Sequence, residues 1–123
     1  MQLSELFSEG GRGVIATSNL QGEVNVAIYA MPHVIDDETL AWGMTEGRTY
    51  KNVAQNPRAA YLHMNPGAGF SGVRLGLKLK RIESSGKMLD AVRIRTSQIV
   101  SPAAGAAVKY VAYFTVVEVR ALI

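Results

Sequence analysis

The stretch Thr45 to Arg58, TEGRTYKNVAQNPR, places an arginine and a threonine side by side just after a Thr and Gly turn and at the start of a helical pattern. Such a place suits an anion. Amides at a helix N-terminus carry partial positive charge, a threonine hydroxyl donates, and the planar fork of an arginine matches phosphate oxygens. Lys51 and Asn52 follow within one turn and add a charge and a side-chain donor. Alone, the pattern also fits an ordinary helix cap beside an exposed arginine.

Composition removes several other chemistries. There is no cysteine, which excludes disulfides, iron–sulfur clusters, thiolate zinc sites and cysteine nucleophiles. His33 and His63 are the only histidines, too few and too far apart in sequence for a histidine-rich metal site or a serine triad. The net charge of +3 and pI near 9.4 permit anionic partners. The basic residues Lys78, Lys80, Arg81, Arg93 and Arg95 lack interleaved aromatics, so a solvated face is favoured over a nucleic-acid platform.

The surrounding elements must position this segment. Ser4-Glu5-Leu6-Phe7 begins a short amphipathic helix that Gly10 and Gly11 end. Val14 to Ser18 and the alternating Val24, Val26, Ile28 read as a hairpin about the Asn19 to Gly22 turn, the second strand continuing through Val34-Ile35 after an interruption at Pro32. Thr39 to Met44 is a third strand. Arg48 to Gln55 is a short helix stopped by Asn56-Pro57, and Ala59 to Met64 is a fourth strand. Val73, Leu75, Leu77 and Leu79 alternate with polar residues and glycine in the clearest period-two run. Lys87 to Gln98 has helical spacing, Pro102 to Gly105 breaks the chain, and Tyr110 to Val119 closes it as a sixth strand.

A chain of 123 residues with 48% hydrophobic content suits one globular domain over residues 1–123. No apolar run approaches the roughly 18 residues that span a bilayer, and residues 1–11 do not form a charged-then-apolar leader, so the expected compartment is the cytoplasm. Six strands with short helices point to a small β-rich (α+β) barrel, since closure protects strand edges.

The order of these segments resembles the FMN-binding split β-barrels of the pyridoxamine 5'-phosphate oxidase superfamily. The matching stretches are GVIATSNLQGEVNVAIYAMP, TLAWGM, TEGRTYKNVAQNPRAAYLHM and NPGAGFSGVRLG, covering roughly residues 12–82. It looks most like the small single-domain members, whose corresponding helix opens with Lys-Thr and continues to Asn-Val-Ala, where this chain has Arg48-Thr49 and Asn52-Val53-Ala54. The resemblance implies a homodimeric six-stranded split barrel with FMN at the dimer interface. It implies that Arg48, Thr49 and Asn52 hold the phosphate and ribityl chain, that Met44 and Thr45 line the flavin, and that Ala27, Ile28 and Tyr29 face the ring. It further implies that Gly69, Phe70 and Gly72 close the pocket from the partner subunit.

No side chain is required as a catalyst, because the flavin carries the redox chemistry. The expected activity is electron transfer or flavin-dependent reduction with an unidentified small-molecule or protein redox partner. Oxidation of pyridoxamine phosphate itself is disfavoured, because the chain ends Val-Arg-Ala-Leu-Ile without the Arg and His extension that the family's oxidases use. A deazaflavin-dependent reductase and a cofactor-free barrel acting as a binding or structural dimer are the alternatives.

Overall fold

The structure, a computed structural model, describes residues 2–123. A single 3-10 turn, Leu3–Leu6, replaces the expected N-terminal helix and buries Leu3 against the core. Strands β1 (Arg12–Ser18) and β2 (Val24–Tyr29) form the expected hairpin. Its turn is built by Asn19, whose Oδ1 accepts from the backbone N–H of Gln21 and of Glu23, both at 3.0 Å.

The second strand does not continue past Pro32. The chain leaves the sheet after Tyr29, and Pro32, with no N–H to donate to a ladder, lies in the crossing segment. The chain returns as a separate strand β3 (His33–Val34), which pairs with β4 (Thr39–Met44) through His33 opposite Ala41 and Val34 opposite Leu40. The barrel sheet therefore has seven strands rather than six, in the order β2-β1-β5-β6-β7-β4-β3. Between Tyr29 and His33 the chain crosses from one edge of the sheet to the other.

Helix α1 (Arg48–Gln55) follows β4, then come β5 (Arg58–Met64) and the long strands β6 (Gly72–Glu83) and β7 (Tyr110–Ala121). All strand pairs are antiparallel. Two register shifts, at Gly76/Leu77 and Leu79/Arg81, put one extra residue into β7 (Val117) and one into β6 (Lys80). Bulges of this kind bend and twist a strand pair, which curls the sheet into a half-barrel.

Helix α2 (Lys87–Ile99) and helix α3 (Pro102–Ala107) lie between β6 and β7 in sequence. The expected chain break at Pro102 is in fact a helix start. Proline at the first helical position loses no intrahelical bond, and the Ser101 Oγ accepts from the Ala104 N–H at 3.0 Å as an N-cap. Gly105 of α3 sits where any Cβ would collide with Ser97 of α2, so the two helices can approach closely.

The main core contains Ile15, Leu40, Trp42, Met44, Tyr61 and Phe114, with Trp42 at 4.7 Å from the Tyr61 ring and 5.7 Å from the Phe114 ring. Burial of such side chains stabilises by about 1.5–3 kcal/mol each. A second cluster, including Ala41, Val92, Val108 and Tyr113, covers the outer face of β4 beneath α2. Strand β4 is thus apolar from Leu40 to Met44, with both its faces covered.

Candidate functional site

The sheet is open between β2 and the β3–β4 edge, and side chains rather than a ladder bridge the gap. Trp42 Nε1 donates to the Ala30 carbonyl at 2.9 Å, and the Tyr61 hydroxyl lies 3.1 Å from the carbonyls of both Tyr29 and Ala30. Helix α1 lies against β1 and β2, with Thr49, Asn52 and Val53 turned inward.

At its start, Gly47 is the N-cap in an extended conformation with no side-chain cap, so the first helical N–H groups lack a side-chain acceptor. Arg48 is exposed beside them. Thr49 is buried and lies beside the Tyr29 phenol at the end of β2. Burial pushes the Tyr29 phenol up to about 12, the Thr49 hydroxyl holding it back in part, so Tyr29 stays a neutral hydroxyl. The nearest turn carboxylate, Glu46, accepts from the Tyr110 hydroxyl at 2.8 Å, and this bond raises the Tyr110 pKa. Tyr110 in turn stacks flat on Tyr50 at 3.9 Å.

A cavity of about 620 Å³ opens from this junction. It receives Ile28 and Tyr29 from β2 and Trp42, Gly43 and Thr45 from β4 and its following turn. Helices α2 and α3 and the loop Ser8–Gly11 form the remaining walls. Gly43 is required at the floor, because a Cβ there would lie 2.5 Å from Val92 Cγ1.

Of the residues predicted from sequence, the structure brings Ile28, Tyr29 and Thr45 to the cavity and sets Thr49 beside Tyr29, while Arg48 is exposed at the start of α1. Asn52 is placed differently: its Nδ2 donates to Thr17 Oγ1 at 3.1 Å inside the barrel, tying α1 to β1. The Met44 side chain belongs to the main core. Successive strand residues face opposite ways, so Ala27 and Tyr29 pack inward while Ile28 points outward. Gly69 and Phe70 lie in the exposed β5–β6 loop and Gly72 opens β6 opposite Met64, all three away from this cavity.

No family model and no curated protein matches this sequence. Solved structures do match it in three dimensions. An FMN-binding protein from Syntrophomonas wolfei subsp. wolfei superposes with a TM-score of 0.80 at 18% identity, covering 90% of this chain and 76% of that one. The chain has the FMN-binding split-barrel fold. An F420 reductase shares this split barrel with a TM-score of 0.70 at 18% identity, over 95% of this chain and 94% of that one. HutZ, a heme storage protein from Vibrio cholerae, shares it at 0.69 and 15% identity, over 98% and 95%.

Several residues of this split barrel escaped the sequence reading. His63, on strand β5, is fully buried next to Phe7, with ring centroids 5.2 Å apart. The signal was the period of two: His63 follows Tyr61 on the inward face of β5. Arg95 and His33, from α2 and β3, both border the cavity, and nothing local in the sequence joins them.

Proposed function

We propose that this split barrel binds FMN and works as a homodimeric redox protein in electron transfer or flavin-dependent reduction. The observation that carries this is the packing of α1 against β2, which sets the helix start expected to hold the phosphate beside the strand expected to face the ring. The uncapped N–H groups of α1, Arg48 and the Thr49 hydroxyl are donors suited to a phosphate, and the neighbouring Glu46 is already engaged by Tyr110. Tyr29, Thr45 and Trp42 offer a largely apolar wall for an aromatic ring. FMN supplies the electron chemistry when bound; the chain's part is to hold the phosphate, orient the ring and limit access of water.

The dimer is supported by the outer face of β2, β1 and β5. Val24, Val26 and Ile28 are 82%, 69% and 77% exposed, and they adjoin Val14, Leu62 and Met64 in the same sheet face. A contiguous apolar sheet face of this kind is characteristic of an interface. Two copies related by a two-fold axis would bury the same patch on each.

The test is the visible absorption spectrum of freshly purified protein, followed by release and identification of the chromophore, repeated with Arg48→Ala. Flavin bands released as FMN and weakened in the variant are expected. The similarity to an F420 reductase favours a deazaflavin as the second reading, and the released chromophore distinguishes the two. A Soret band, or colourless protein indifferent to added FMN, would overturn the FMN assignment.

A further inference from the structure

The cavity extends well beyond the residues assigned to the flavin. Val92, Arg95, Thr96, Ile99 and Val100 recur at spacings of three and four along α2, so one face of that helix lines its far wall. Ala104, Ala107 and Val108 complete that wall with small side chains that leave the space open. A volume of about 620 Å³ falls within the range of small-molecule sites, roughly 300–1,000 Å³.

One full positive charge borders this apolar space. Arg95 is half-buried, and among the described residues its guanidinium forms no ion pair and no side-chain hydrogen bond. Arg81 pairs with Glu83 at 3.6 Å, Arg120 with Glu118 at 3.2 Å and Arg74 with the Ala121 carbonyl at 2.9 Å, while Arg12, Arg48 and Arg58 are exposed to solvent. Arg93, two residues away on α2, reaches the Ala106 carbonyl at 3.4 Å and so fastens α3. Arg95 has no such structural task. His33 borders the same cavity; burial, and then the Arg95 charge, lower its pKa and keep it neutral, a hydrogen-bonding group without competing charge. Glu9, the acidic residue of the cavity wall, is exposed on the opposite loop and makes no ion pair with Arg95.

We propose that the α2–α3 end of the cavity binds a small aromatic carboxylate, with Arg95 pairing its carboxylate and the apolar helix faces enclosing its body. A partly desolvated guanidinium without a partner gains most from an anion that presents two oxygens to its fork. An apolar body attached to that anion fills the space between Val92, Ile99 and Ala104 and extends toward Tyr29 and Thr45. As the substrate class of a flavoprotein this rests on the FMN reading; as a carboxylate site it stands independently.

Isothermal titration of the purified protein with cinnamate and with its neutral isostere cinnamamide tests the site. Cinnamate is expected to bind once per chain and at least about 10-fold more tightly than the amide. Arg95→Gln should weaken cinnamate by about 10- to 100-fold and leave cinnamamide unchanged, while Arg95→Lys restores part of the preference. Ala104→Leu, which fills the cavity, should weaken both ligands. Equal binding of acid and amide, no binding of either, or indifference of cinnamate to Arg95→Gln overturns the proposal. Flavin content separates the two readings. Protein that binds cinnamate through Arg95 but takes up no FMN sinks the flavin reading alone, and yellow protein that ignores cinnamate sinks the carboxylate site alone.

Discussion

The indole of Trp42 donates to the carbonyl of Ala30 at 2.9 Å across the opening where β2 and β4 do not pair. This bond crosses the split at the floor of the cavity and shares with the Tyr61 hydroxyl a carbonyl beyond the end of the β2 ladder. Trp42→Phe keeps most of the ring volume and removes the donor. The expected loss is about 1–3 kcal/mol of unfolding free energy, read by urea denaturation. A variant as stable as the parent would show that the split is held by Tyr61 and α1 alone.

Gly43 of β4 faces α2 with no room for a side chain. Gly43→Ala should press its methyl into Val92, a β-branched residue with little rotamer freedom. A cost of about 1–3 kcal/mol is expected. Thermal melting measures it, and an unchanged melting temperature argues against the close approach of α2.

His63 has no exposed surface, and among the described residues neither ring nitrogen has a hydrogen-bond partner. Burial lowers its pKa, offset in smaller part by the backbone of Ser8. The charged form is favoured in the unfolded chain, so stability is complete above the ordinary histidine value of about 6.5 and declines as pH falls below it toward the folded value. His33 shifts in the same direction and contributes its own share. Denaturation at a series of pH values should show a shallower acid decline in His63→Leu than in the parent. Parallel profiles would exclude His63 as a source.

Thr49→Val removes the hydroxyl beside Tyr29 at the helix start proposed to hold the phosphate. FMN affinity, followed by quenching of flavin fluorescence, should fall by about 10-fold, the worth of one hydrogen bond to a charged group. An affinity equal to that of the parent removes Thr49 from the phosphate site.

Val26 stands in the middle of the exposed apolar face of β2. Val26→Asp adds a charge that tolerates water and not a dry interface. Sedimentation should show the parent as a dimer and the variant as a monomer of unchanged secondary structure. A parent that sediments as a monomer rejects the dimer outright.

Much of the barrel is determined by local signals. The alternation of Val73, Leu75, Leu77 and Leu79 specifies a one-sided strand, Asn19 and Gly22 specify the first hairpin, and Asn56-Pro57 ends α1. Arg48-Thr49 at the start of that helix was equally legible, because a turn, a glycine and the onset of helical spacing lie within a few residues. What a local pattern does not carry is which strand lies beside which. Only the fold decided that the chain crosses to β4 after Tyr29, making a seventh strand. Asn52 looked like a ligand for the phosphate or ribityl chain, yet whether its amide faces solvent or Thr17 depends on the rotation of α1 against β1. The cavity is the extreme case: Tyr29, Trp42 and Arg95 are distant in sequence and meet because the β2–β4 opening and the α2–α3 hairpin are packed side by side. Spacing along a chain encodes the face of an element, whereas the company that face keeps is set by long-range packing.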